Sequence, residues 1–226
     1  MKHPSERMAT FVYEPPLSPY LRILYQDDDL LVLDKPSGLL SVAGKLAIHR
    51  DSLQTRVQRV FPTATVVHRL DMSTSGLMLM ALNKESHKHL SRQFQDRLIA
   101  KKYLARIVGK PNENQGTVDL PLICDWPNRP MQKVDKEHGK PSLTHWQVLE
   151  QFEAYCLVEL VPVTGRSHQL RVHMQSLGHP ILGDKFYADE TAYSMSSRLD
   201  LHAAYIKFAH PSYGQEMEFD LPIAFA

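Results

Sequence analysis

Three times along this chain, two strand-like runs are separated by only a few residues. Arg22–Tyr25 and Leu30–Asp34 flank the turn Gln26-Asp27-Asp28-Asp29, and Leu143–Glu150 and Tyr155–Val163 flank Gln151–Ala154. Near the C-terminus, Leu201–His210 and Met217–Leu221 flank Pro211-Ser212-Tyr213-Gly214. So short a connection returns the chain antiparallel to itself. Leu77–Leu82 and Lys101–Val108 predict further strands. Helix-like stretches fall among them. One starts at Ser52, with Leu53, Val57 and Val60 at helical spacing and Pro62 beyond its end. A second is capped by Asn83, with Leu90, Phe94 and Leu98 on one stripe and Lys84, Lys88, Arg92 and Arg97 off it. A third is begun by Ser167, carries Leu170, Met174 and Leu177 on one stripe, and is closed by Gly178. Strands that dominate, with helices interspersed but not strictly alternating, predict an α+β fold rather than a doubly wound sheet.

The remaining stretches are less regular. Residues 1–20, with Pro4, Pro15, Pro16 and Pro19, read as an N-terminal tail or arm laid over a body formed by residues 21–226. Residues 111–141 are rich in Asn, Gly and Pro and predict a long surface excursion with one or two short strands.

Several function classes are disfavoured at this level. No apolar run reaches the length of a membrane span, and no apolar core follows the N-terminal residues as it would in a secretory signal. The two cysteines, Cys124 and Cys156, have no partners at metal-ligand spacing, which suggests a reducing cytosol and no structural metal. Twelve histidines invite a metal hypothesis, but His168 and His173 are five apart and His87 and His89 two apart, so each pair diverges on a helix. Neither zinc-binding nor nucleotide-binding signatures are present. A net charge of +1 argues against indiscriminate nucleic-acid binding; a nucleic-acid partner would need positive charge concentrated in one place.

Chemistry concentrates in His68-Arg69-Leu70-Asp71-Met72-Ser73-Thr74-Ser75-Gly76, a polar stretch between Val66-Val67 and the apolar run Leu77–Leu82. It reads as a loop held between strands, where reactive groups tend to sit. Asp71 is its one carboxylate. From the local sequence Asp71 is either a turn residue capping backbone amides or a catalytic group. Arg171 lies on the helix begun at Ser167, with His168 and Gln175 on the same face. It is either a surface arginine or one that grips a carboxylate with two hydrogen bonds. Tyr103 is either an aromatic on the core face of its strand or a ring that stacks on a base and takes part in proton transfer.

The ordered blocks resemble the RluA family of RNA pseudouridine synthases. They are Lys35-Pro36-Ser37-Gly38 with Leu39–Val42, His68–Gly76, Lys102-Tyr103, Gly165–His173, and His179–Asp184 with Phe186-Tyr187. The resemblance runs from about residue 21 to the end; Ser167, where many members have Thr, keeps the hydroxyl. It implies a pseudouridine synthase fold: a bent, mixed, mainly antiparallel sheet with flanking helices and a central catalytic cleft, without the S4-like domain of larger members. It implies isomerisation of uridine to pseudouridine on a nucleotide flipped out of its stack, with no cofactor and no metal. By the same resemblance Asp71, Tyr103 and Arg171 are catalytic, with Arg171 paired to Asp71. Arg69 fills the space left by the flipped base, and His68, Lys35, Arg166 and His168 bind substrate.

The stretch Pro121–Pro130 is similar to that of dual-specificity members. This implies stem-loops of 23S ribosomal RNA and of the tRNA anticodon loop, at position 32, as partners of a cytoplasmic monomer. Two other readings compete. A catalytically silent structured-RNA-binding module would use the basic helix 84–97 and the aromatic excursion, although it would be expected to have lost one of Asp71, Tyr103 and Arg171. Another kind of glycosidase would need two acidic groups, and the central stretch supplies one.

Overall fold

A computed structural model describes residues 12–223 and residue 225. It divides into two compact units. Each follows from the hairpins and helices that surround its own apolar clusters.

The first unit contains Tyr13–Lys101 and the C-terminal hairpin from His202 on. Strands β1 (Ile23–Gln26) and β2 (Leu30–Lys35) form the expected hairpin. Its turn is built by Asp27, whose carboxylate accepts the amides of Asp29 and Leu30. Strand β4 (Ser75–Ala81) lies antiparallel to β2 and to the short β3 (Thr65–Val66). Every residue of β4 is buried, which is why its sequence reads as a continuous apolar run and not as an alternation. Strand β11 (Leu201–Ala209) runs parallel to β4, pairing His202 with Ser75 and Ala203 with Gly76, and carries β12 (Glu216–Asp220) antiparallel on its other side. Gly76 is required there. Its φ is +111°, and a Cβ would lie 2.3 Å from the carbonyl oxygen of Ala203.

Helix α1 (Leu53–Gln58) is capped by Ser52 through a reciprocal capping box with Thr55. It ends early, so Val60, expected on its stripe, is exposed. Helix α2 (Lys84–Gln95) starts at Asn83 as expected, the Asn83 side chain accepting from the Ser86 amide. Leu90 is buried on it, but Leu98 is 68% exposed. The cause is Arg97, which takes a left-handed conformation (φ 59°) and turns the chain off the helix axis before Leu98. Within the arm, residues 1–11 lie outside the described residues. Of the rest, Tyr13 is buried, its hydroxyl donating to the Asp51 carbonyl and accepting from the Leu40 amide. The Tyr20 ring stacks on Arg56, which Asp51 holds by two hydrogen bonds.

The second unit is built from Lys102–Leu201. Strand β5 (Ala100–Val108) pairs with β10 (Tyr155–Pro162), β10 with β9 (Leu143–Gln151), and β9 with β6 (Gln115–Asp119), all antiparallel. The excursion is more ordered than its composition predicts. It supplies β6 and a separate two-stranded hairpin, β7 (Leu122–Cys124) and β8 (Gln132–Val134). Helix α3 (Gln169–Ser176) begins one residue later than expected. His168 stands at its N-cap with φ 53° and no side-chain cap, so Ser167 is not the capping residue. Gln169 orders the entry instead: its side-chain oxygen accepts from the Arg166 amide and the Thr164 hydroxyl. Leu170 and Met174 are buried, while Leu177 emerges at the end of the stripe. A short helix, α4 (Glu190–Ser194), capped by Asp189, adds to the three expected. With one parallel strand pair among the antiparallel ones described, and few helices, the fold is α+β with a mixed sheet.

Candidate active site

In the first unit, the structure brings two of the sequence blocks together around Asp71. The block after β2 clamps the loop from one side. The Ser37 hydroxyl donates to the Ser73 carbonyl (2.7 Å), and the Gly38 amide donates to the Met72 carbonyl (2.9 Å). Ser41 works in both directions at Leu70: its hydroxyl donates to the Leu70 carbonyl (2.6 Å) and accepts the Leu70 amide (3.1 Å). Lys35, expected on the substrate, is fully buried. Its ammonium donates to the carbonyls of Pro36, Leu39 and Met72 at 2.7–3.0 Å. A buried ammonium is costly unless hydrogen-bonded, and these contacts supply its bonds while fixing the backbone beside Asp71. Asp71 is half-buried, and its carbonyl accepts the Thr74 amide, closing a turn that aims the loop. Arg69 is exposed.

His68 also faces inward. Its Nε2 accepts the Leu79 amide at 2.9 Å, and its ring stacks on Phe94 at 4.4 Å between centroids. Burial, helped by the nearby Lys101 ammonium, pushes its pKa down to about 3. The acceptor role requires the neutral ring, which that lowered pKa keeps neutral across the neutral pH range. The folded state binds the proton less well than the unfolded chain, so stability should fall as pH drops below about 6.5, by up to about 1.4 kcal/mol per pH unit from this one group. Urea unfolding between pH 6.5 and 4.5 checks this: His68→Gln should flatten the slope, and an unchanged slope would show that His68 does not carry it.

In the second unit, the blocks around Arg171 and Asp184 meet. Arg171 is buried and gives Nε and Nη2 to the two carboxylate oxygens of Asp184, each at 2.7 Å. Side-chain exposures are 4% and 0%. Asp184 also accepts the amides of Phe186 and Tyr187, and both rings lie about 5 Å from the Arg171 guanidinium. The Tyr187 hydroxyl contacts His168 Nδ1 at 2.6 Å. His168 is therefore tied to the arginine cluster, while Gln175, expected on the same face, points to solvent. Arg166 is exposed and donates to the Pro141 carbonyl. Tyr103 is half-buried and packs against the cluster that includes Ala105 and Ile107 of its own strand. Asp184 was visible in sequence only as the end of a loop block. No helical or strand spacing links it to Arg171.

One group with metal-ligand geometry occurs among the described residues: Asp27, Asp29 and His210 offer ligand atoms within 4.8 Å of one another. The carboxylates there are engaged by Tyr25, Ser86, Asn83 and His210 and by the turn amides. The group works as a turn lock.

The chain belongs to the RNA pseudouridylate synthase family, whose sequence model matches residues 29–176. It is an isomerase that converts uridine to pseudouridine in RNA. Over 214 residues it is 55% identical to the dual-specificity RNA pseudouridine synthase RluA of Salmonella typhimurium, covering 94% of this chain and 98% of the relative. The same figures hold for RluA of Escherichia coli K12. Among solved structures, human RNA pseudouridylate synthase domain containing 1 superposes with a TM-score of 0.77 at 32% identity, over 93% of this chain and 86% of that one. Human RNA pseudouridylate synthase domain containing 4 gives 0.75 at 27% identity, over 92% and 91%.

Proposed function

We propose that this enzyme is a dual-specificity pseudouridine synthase acting on stem-loops of 23S ribosomal RNA and on the tRNA anticodon loop at position 32. The observation that carries this reading is the 55% identity to relatives named for dual specificity, over nearly the full length of both chains. The reading makes residues 21–226 one catalytic domain, working as a monomer in the cytoplasm without metal or cofactor. No helix among the described residues is long and apolar enough to cross a membrane.

In the reaction, Asp71 serves the flipped-out uridine as nucleophile at the sugar or as base toward it; either role needs an ionised carboxylate shielded from water. Arg171, which the resemblance pairs with Asp71, would favour that charged form. Tyr103 packs on the uracil, acts as the base, or does both, while Arg69 occupies the space the base leaves. Arg166 and His168 contact the RNA. Lys35 and His68 act through Asp71's loop, for which their backbone hydrogen bonds are the support.

Mapping pseudouridines by carbodiimide adduct and primer extension, in RNA from a strain lacking this gene, tests the substrates. Loss at one ribosomal and one class of tRNA position, restored by the wild-type gene, is the expected result. Loss confined to other positions would overturn the assignment. The silent-module alternative predicts no lost site at all.

A further inference from the structure

We infer that the tip of the β7–β8 hairpin is a stacking platform for a second unpaired base of the RNA, distinct from the uridine being isomerised. The inference rests on the enzyme acting on RNA stem-loops. Trp126 at this tip is 66% exposed, the more exposed of the chain's two tryptophans; Trp146 is buried. An indole offers a large apolar face with a polar edge, and tryptophan is enriched where surfaces meet partners. The Arg129 guanidinium sits 4.5 Å from the Trp126 ring centroid. A cation over a ring beside open aromatic surface offers a nucleotide two contacts at once: the ring for the base and the charge for its phosphate.

The tip is held in shape without help from a ligand. The Asn128 amide and side chain both donate to Asp125, the Asp125 amide donates to the Met131 carbonyl, and the Met131 amide donates back to Asn128. Behind it the Gln132 amide donates to the Tyr187 hydroxyl at 2.8 Å, and Met131 and Val134 pack on the cluster of Leu122, Val172 and Tyr187. The platform is thus anchored to the same Tyr187 that contacts His168 and lies over Arg171. A rigid aromatic ring presented on a short hairpin loses little freedom when a base stacks on it. Stacking is indifferent to base identity, so this platform selects the shape of a loop with a splayed base and not its sequence.

The test uses the full chain with an RNA stem-loop that carries the target uridine, the same stem-loop with each other loop nucleotide in turn made abasic, and a fully paired duplex. Trp126→Ala should raise KM about tenfold with kcat within about twofold, the loss of one base–aromatic stack. Trp126→Phe should recover most of it. Saturating stem-loop should quench tryptophan fluorescence in the wild type and much less in Trp126→Phe. One abasic stem-loop should reproduce the Trp126→Ala defect with wild-type enzyme and add nothing in the variant.

An unchanged KM in Trp126→Ala would overturn the platform. So would equal quenching by the duplex, or abasic effects that add to the mutation at every position. Because quenching is read without turnover, it still decides the platform if the RNA chosen is not isomerised, an outcome that would count against the substrate assignment alone.

Discussion

Asp184→Ala is expected to destabilise the protein by about 3–5 kcal/mol, the scale of the cost when one partner of a buried ion pair is removed. The pair it breaks is bidentate and buried on both sides, with side-chain exposures of 4% and 0%. The same carboxylate also accepts the amides of Phe186 and Tyr187, so the loop that carries both rings loses its anchor with it. For a chain of this length the loss corresponds to a drop in melting temperature on the order of 10 °C. Urea unfolding measures it directly. Asp184→Asn should recover part, since an amide oxygen still accepts the loop amides but brings no charge to Arg171. A loss below about 1 kcal/mol in Asp184→Ala would mean that the arginine is stabilised by other neighbours and that the pair is incidental.

Asp71→Asn is expected to abolish catalysis, by at least about 10³-fold, the scale on which enzymes lose rate when a group acting on the reacting atoms is removed. The change is nearly isosteric and keeps the half-buried loop intact; it removes the charge that both routes to the sugar require. Tritium at uracil C5 is the readout, because C5 becomes the carbon bonded to the sugar in the product and must surrender its hydrogen. RNA binding by the variant should stay within a few-fold of wild type. Substantial tritium release would remove Asp71 from the mechanism and would break the assignment of Tyr103 and Arg171 that depends on it.

Features set by neighbours along the chain are legible in the residues themselves. Asn83 and Ser52 announce their helices because a cap is satisfied within three residues. The β1–β2 and C-terminal hairpins announce themselves by their turns. Features set by distant parts of the chain are not legible in this way. Nothing in the run Leu77–Leu82 says that β4 pairs in parallel with β11 more than a hundred residues later. The left-handed residues Arg97 and His168 end and begin helices against the apolar stripes that predict otherwise, because a single positive φ redirects the chain whatever periodicity follows. In the candidate site, the loop of Asp71 and the helix of Arg171 can be named from the resemblance. The inward turn of Lys35 and His68 and the grip of Asp184 on Arg171 cannot, since these are long-range hydrogen bonds with no sequence period.

The clamp of Lys35, Ser37, Gly38 and Ser41 on the loop of Asp71 has a consequence for substrate choice. The disorder of that loop is given up once, when the chain folds, and is not given up again at each encounter with RNA. That loop is therefore already ordered when RNA arrives, and adaptation around it falls to the nucleic acid. Among uridines of equal chemistry, those whose stacking and pairing neighbours release them at least expense will be the ones isomerised.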